Sequence, residues 1–458
     1  EVMIFLKRKR LIFWLFRAYL KKWGKTFLAS FIFGLVIFLF IVLNKGFFLS
    51  KAPVNDSQSV GIAGVYSKRD LPNNLPDIIQ SQISRGLTKI SAKGEVLPDI
   101  AKSWEIKDDG KTFIFYLHRG IYFSDKKELD SLSIKYNFEN VAIERPTKQV
   151  IVFKLKDKYS PFLVTLANHK VFKKNYIGIS NYKINDIETN GDFIRSIEVS
   201  SIIDKKTFNY IFYDTQEALK NAYVLGEVTS IIDINDLDYK QRVNLGTFKN
   251  TNILKNINHN KIVTIFFNNS DPLLSDKKIR KALAYSLPDI FADGKRTYTP
   301  YRHEYWFNNN SEVYQKDLEY ANLLLDQTDA SKSGGLKVEL KTFPQYSGLA
   351  KEIAGYWKKI GINTKIETVD AVPSLYQAFL GELPVLKDPD QYTLWHTGQT
   401  SNITNYRNLR IDKLLEDGRR TYKTEDRKKI YADFQKYLLD DMPATFLFFP
   451  YTYTLSRK

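Results

Sequence analysis

The chain has 458 residues, with 68 Lys/Arg against 51 Asp/Glu, a formal net charge of +17, 28 Tyr, 31 Phe and no Cys. That length exceeds one compact core and fits two or three domains. The lack of Cys excludes disulfides, Cys-based zinc sites, a thiol nucleophile and a lipid-modified N-terminal Cys.

The charge is unevenly spread. Ten Lys/Arg fall within residues 1–51 beside a single acid, Glu1. The remainder has no dense basic tract, so no nucleic-acid partner is expected. Residues 1–25 read as a cytoplasmic basic and amphipathic segment, in which Leu11–Trp23 suits the inner membrane surface. Thr26–Leu43 is a run of 18 residues without a charge. At about 1.5 Å per residue such a run nearly spans a ~30 Å hydrocarbon core. Residues 26–44 are therefore expected to be a transmembrane anchor. No A-x-A-like cleavage site follows, so the anchor is expected to stay. The flanking positive charge puts the N-terminus in the cytoplasm and the main domain outside, a single-pass protein of the cell membrane. Residues 45–60 read as a linker.

Beyond residue 60, strand and helix signals alternate. Lys111–Gly120 alternates like a strand, with Phe113, Phe115 and Leu117 on one face and a turn at Asp108-Asp109-Gly110. Leu336–Phe343 reads as a strand. Leu349, Ile353, Trp357 and Ile360 mark an amphipathic helix stopped by Gly361. Residues 362–370 read as the next strand, parallel to the first. Residues 425–441 form a helix with Ile430, Phe434, Tyr437 and Leu438 on one face, N-capped by Thr424 and ended by Pro443. Residues 443–455 are an aromatic-rich strand.

The order of these motifs resembles the family 5 extracellular solute-binding proteins, the peptide- and nickel-binding components of ABC importers. In Ser84–Asp125 the residues Pro98, Asp99, Ala101, Ser103, Trp104, Glu105, Gly110, Gly120, Phe123 and Asp125 stand at the positions of that family's signature. Tyr176–Lys183, Thr264–Leu287 and the NLRIDKLLEDGR segment resemble later family motifs. The resemblance implies a two-lobed α/β fold of the type II periplasmic-binding-protein kind, with hinge crossover strands. Lobe I would take residues 57–262 plus 443–458, and lobe II residues 263–442. Together with the expected anchor, it points to a membrane-anchored receptor that captures a small solute, expected to be a peptide, and delivers it to ABC permease subunits. The alternative is a ligand sensor using the same fold without import.

The stretch Asp388–Asn408 suits the wall of a ligand cleft. Trp395 and Tyr406 offer stiff apolar surface with one polar handle each. Thr397, Gln399, Thr400, Asn402 and Asn405 offer neutral donors and acceptors, and His396 and Asp390 are further candidate contacts. Trp395 also reads as core, His396 as a packed histidine, and Asp388-Pro389-Asp390 as a turn. In oligopeptide binders that this chain resembles, a carboxylate near here holds the ligand's α-amino group. The register puts Val385 at that place, with Asp388 or Asp390 as substitutes. The five His are far apart in sequence. No G-x-S-x-G, HExxH or Gly-rich phosphate loop is present, so no catalytic residue, metal or cofactor is expected.

Overall fold

The computed structural model describes residues 56–309, 314–329 and 335–458, together with residues 14, 17, 19, 21–25, 30 and 32–35, which are helical. The expected anchor at 26–44 lies outside the described residues except at 30 and 32–35. Among the described residues no helix is long and apolar enough to cross a membrane. The chain divides into Glu1–Asp56 and Ser57–Lys458. The expected linker to residue 60 ends sooner, because Asp56–Ala63 is already a strand. Val60 and Ile62, two apart and both buried, turn one face of that strand to the core.

Among the described residues, the main sheet has twelve strands. Its order runs Asn363–Thr368, Lys337–Thr342, Ala378–Pro384, Lys261–Phe267, Ala444–Arg457, Ser230–Ile234, Asp56–Ala63, Lys206–Tyr213, Phe193–Ser201, Tyr182–Asn190. Thr251–Ile257 and Gly294–Arg296 pair with Ala444–Arg457 off this path. A second sheet of four strands holds the predicted hairpin, Ala101–Lys107 against Thr112–Leu117. Phe113, Phe115 and Leu117 are buried on its inner face, as their alternation requires. The predicted strand–helix–strand unit is present too. Lys337–Thr342 and Asn363–Thr368 pair in parallel, joined by the helix Ser347–Lys358. That helix buries Leu349, Ile353 and Trp357, and Gly361 ends the connection with φ +79°.

The helix Thr424–Asp441 differs from expectation in two ways. Thr424 is its first residue, not its N-cap, which is Lys423. Its buried stripe is Arg427, Tyr431, Phe434, Gln435 and Leu438, with Ile430 and Tyr437 at the flanks. A buried ion pair turns the helix this way: Arg427 donates to Asp388 at 2.7 and 3.2 Å.

Buried apolar residues fall into separate clusters on either side of the crossing. The members of three clusters lie in residues 60–245, plus Leu455. Those of two others lie in residues 262–449. The long strand Ala444–Arg457 joins them. Its first residues pair with Lys261–Phe267, and residues 451–457 pair with Thr251–Ile257. The chain thus crosses once between Ile257 and Lys261 and returns between Phe448 and Tyr451. On the other edge Gly294–Arg296 lies against Phe448–Pro450. A Cβ at Gly294 would collide with the Phe448 ring and the Phe449 carbonyl, so only glycine lets the strands approach.

Trp357 is fully buried, and its Nε1 donates to the Leu283 carbonyl at 3.2 Å. Trp357→Ala is expected to lower unfolding stability by about 3–5 kcal/mol, read from urea denaturation.

Candidate functional site

The predicted wall, Asp388–Asn408, is a compact polar turn pinned from behind. Asp388 is held by Arg427, and Asp390 accepts from Arg419 Nε at 2.9 Å. Burial pushes the Asp390 carboxyl above its usual value, and the Arg419 charge offsets part of that shift. At Arg427 burial acts downward, but the Asp388 carboxylate and the neighbouring Tyr431 reverse it, and the net direction is upward. The Arg419 guanidinium lies over the Tyr392 ring at 4.2 Å, and Tyr392 stacks on His396 at 4.1 Å.

The eight predicted contacts separate into two groups. Trp395 is 1 % exposed and sits in the core against Phe446, with Nε1 donating to Gln391 Oε1 at 2.6 Å. Its face is filled by protein, not open as a wall. Tyr406 is 4 % exposed, and its hydroxyl donates to Asp441 Oδ2 at 2.6 Å. Burial, then that carboxylate, push its phenol pKa up. Asp390 belongs with these two, since its charge is already matched by Arg419. His396 is half-buried, 3.3 Å from Glu416 through Nε2 and 2.9 Å from the Thr397 carbonyl through Nδ1. The Thr397 amide donates to Asp412 at 2.8 Å. Gln399, Thr400 and Asn405 line a cavity of about 380 Å³, whose rim also includes Tyr406. Every wall of that cavity comes from residues 373–407.

Two larger spaces are built differently. A cavity of about 570 Å³ is walled by residues 138–165 on one side and by Tyr392, Glu416, Arg419 and Arg420 on the other. A second, of about 610 Å³, is walled by residues 73–92 and 167–170 on one side and by Arg302, Tyr305 and residues 385–387 on the other. Each joins residues from before the crossing strands to residues from after them. Val385 lies on the second, which puts an apolar residue at the expected ligand-amine position, and the one acid on that wall is Asp77 from the opposite side.

The two sides of this cleft touch at several places, among them Ser160, whose amide donates to the Arg419 carbonyl at 2.7 Å and whose hydroxyl donates to the Gly418 carbonyl at 2.9 Å. Lys387 Nζ reaches Asp77 Oδ2 at 3.0 Å. Trp306 donates to the carbonyls of Lys93 and Gly94 through its amide and Nε1, at 2.9 and 3.0 Å. Near residue 422, the Tyr422 hydroxyl donates to the Gly110 carbonyl and accepts from the Tyr159 amide at 2.8 Å. Gly110 has φ +86°, and a Cβ there would strike the Tyr422 ring. The signature glycine thus serves the hairpin turn and this contact together.

Sequence reasoning missed Asp77, Lys89, Lys170, Arg302 and Lys387. They are spread over some three hundred positions, and no local motif marks them. Among the described residues, no group of three or more His, Asp or Glu is placed to hold a metal ion. His259 and His303 line a smaller cavity of about 320 Å³ beside Arg296 and Glu304.

Two stability outcomes follow from this wiring. Trp395→Ala is expected to destabilise the fold by about 3–5 kcal/mol, as a core truncation does. Arg427→Leu strands the buried Asp388 carboxylate and is expected to remove about 3–5 kcal/mol, part of it restored by adding Asp388→Asn. Chemical denaturation of the three variants checks both.

Comparison with known proteins agrees with this architecture. The family model described as "Bacterial extracellular solute-binding proteins, family 5 Middle" matches residues 95–406. The oligopeptide-binding protein AppA of Bacillus subtilis is 24% identical over 467 residues, covering 84% of this chain and 83% of the relative. The dipeptide-binding protein of Escherichia coli is 22% identical over 442 residues, covering 76% and 80%. Among solved structures, the ABC transporter substrate-binding protein CtaP of Listeria monocytogenes superposes with a TM-score of 0.72 at 19% identity, covering 88% of this chain and 94% of its own. NikZ of Campylobacter jejuni, in complex with Ni(L-His), gives 0.70 at 20% identity, covering 88% and 94%. The mixed α/β, periplasmic-binding-protein-like fold is shared with both.

Proposed function

This chain belongs to the bacterial extracellular solute-binding proteins of family 5, and on that premise we propose that it captures a peptide between two lobes outside the cell and delivers it to an ABC importer. The observation that carries the reading is the pair of cavities, about 570 and 610 Å³, each walled from both sides of the crossing strands. A space of this size between two bodies joined by a narrow crossing is what a small-solute receptor needs. Relatives named for oligopeptide and dipeptide binding support a peptide as the solute.

On this reading lobe I is residues 57–262 plus the end of the terminal strand, and lobe II is residues 263–442 plus its beginning. The separate apolar clusters support that division. Closure rotates the lobes about the two crossings, and the contacts at Asp77–Lys387, Trp306 and Tyr422 belong to the closed arrangement. The Asp388–Asn408 segment acts as the rigid backing of the lobe II wall. Tyr392 and Arg419 face the cleft, and Gln399, Thr400 and Asn405 lie at its side. The uncharged run Thr26–Leu43 with its basic flank supports a membrane anchor that keeps the receptor near its permease.

The test is mass spectrometry of ligands released from the full chain purified in detergent. Short peptides in the released fraction are the expected result. Adding back a released peptide at a hundredfold over its Kd is expected to stabilise the fold by about 2.7 kcal/mol in a thermal melt. A well-folded protein that releases no peptide, and that no member of a peptide library stabilises, overturns the proposal.

A further inference from the structure

The cavity of about 610 Å³ has an uneven charge. Its wall carries four cations, Lys89, Lys170, Arg302 and Lys387, and one acid, Asp77. Lys89 and Lys170 stand on one side of the crossing and Arg302 and Lys387 on the other. Asp77 is already engaged by Lys387 at 3.0 Å.

The remaining cations are partly matched from behind the wall: Glu304 pairs with Arg302, and the Asp99 carboxylate acts on Lys89 and Lys170. Lys170 Nζ donates to the Ala167 carbonyl at 2.8 Å, a neutral partner that leaves two of its three donors for other uses. Its pKa is lowered, first by burial and then by the Lys387 charge across the cleft, while Asp77 and Asp99 oppose the shift. Asp99 is itself bonded to Arg85 at 3.0 Å. Arg302 Nε is buried with no hydrogen-bond partner among the described residues, and the Glu304 carboxylate stands 3.8 Å away. Among the described residues Lys89 has no carboxylate within ion-pair distance. The Arg302 guanidinium lies near the Tyr305 ring, 5.1 Å from its centre, a flat platform at the cavity wall.

A peptide's ammonium entering here meets like charge and the apolar Val385. A carboxylate meets an excess of cations over acids on the wall, four to one. Building a site from excess charge selects by rejection as much as by attraction. We infer that the solute held in this cavity is an anionic peptide, recognised through its carboxylates by Lys89, Lys170, Arg302 and Lys387 and not through its amino terminus. The inference rests on the peptide-receptor reading above and narrows it to a charge class.

Isothermal titration calorimetry on the full chain in detergent tests it with four tripeptides. One carries two glutamates, one is its N-acetylated form, one carries two lysines and one is all alanine. The diglutamyl peptide is expected to bind at least about tenfold tighter than the dilysyl one, a gap that narrows as salt rises. N-acetylation is expected to leave its affinity within about twofold, since the one acid on the wall, Asp77, is engaged by Lys387. Arg302→Gln, confirmed as folded by its thermal melt, is expected to weaken diglutamyl binding about tenfold and leave dilysyl binding unchanged. Lys387→Gln, which also frees Asp77, is expected to shift preference toward the dilysyl peptide. Equal or tighter binding of the dilysyl peptide, or loss of binding on N-acetylation, overturns the anionic inference and leaves the receptor reading standing. Binding of none of the four by a folded protein overturns this inference, and the receptor reading then stands or falls on the co-purified ligand.

Discussion

The structure depends on one strand, Ala444–Arg457, hydrogen-bonded along its length to partners from both parts of the chain. It pairs with Lys261–Phe267 at its start, with Gly294–Arg296 in its middle and with Ser230–Ile234 and Thr251–Ile257 at its end. Its first seven residues are all buried, and Phe446, Leu447, Phe448 and Phe449 feed the two apolar clusters of residues 262–449. Leu455 feeds a cluster on the other side. Pro450 sits where the pairing changes hands. It has no N–H to give, and its carbonyl accepts from Asn258 at the neighbouring crossing. The ladder on this edge changes partner at a proline, beside a three-residue break in the facing strand, while Gly294–Arg296 pairs across the same point on the other edge. A narrow crossing of this kind is what the proposed two-lobe receptor would turn about.

The second constraint is where the charges are buried. Asp388–Arg427 and Asp390–Arg419 are close pairs with little exposure, and each spans from the 388–395 turn to a helix. Such pairs add little net stability, but they fix the turn, because any other placement strands a charge. The turn in turn fixes Tyr392, whose ring lies between Arg419 and His396. Rigid backing of this kind lets a cleft wall keep its shape when the opposite wall moves.

Much of the fold was legible in the sequence because its signals are local. The hairpin at Asp108-Asp109-Gly110, the parallel unit around Ser347–Lys358 and the terminal strand each announce themselves by periodicity and turn chemistry within about twenty residues. The candidate site was less legible. Trp395 and Tyr406 look the same in sequence whether they face a ligand or a core, and here Phe446 and Asp441 claim them. The helix Thr424–Asp441 was misread by one position for a related reason. Its buried face is set by Arg427, a residue that pattern reading assigns to solvent, and only its distant partner Asp388 explains the burial. The cavity cations were invisible because Lys89, Lys170, Arg302 and Lys387 share no local pattern, and convergence is a property of topology. One sequence observation did point to them. The absence of an acid at Val385 is the local trace of a cavity whose wall carries four cations and one acid.

Closure and recognition are linked by that charge. Burial first, and then the Lys387 charge from across the cleft, lower the Lys170 pKa against Asp77 and Asp99, so like charges face each other there. The Asp77–Lys387 pair offsets part of this repulsion, but that pair is largely exposed and such pairs are weak. A ligand shifts an open–closed balance only through interactions that differ between the two states. A neutral solute would add contacts and leave the repulsion in place. On the proposed reading an anionic peptide would add contacts and also offset that repulsion, because its carboxylates would meet cations from both sides. On that proposal the same four residues would both select the ligand and couple its presence to the closed form, the form a permease would have to recognise.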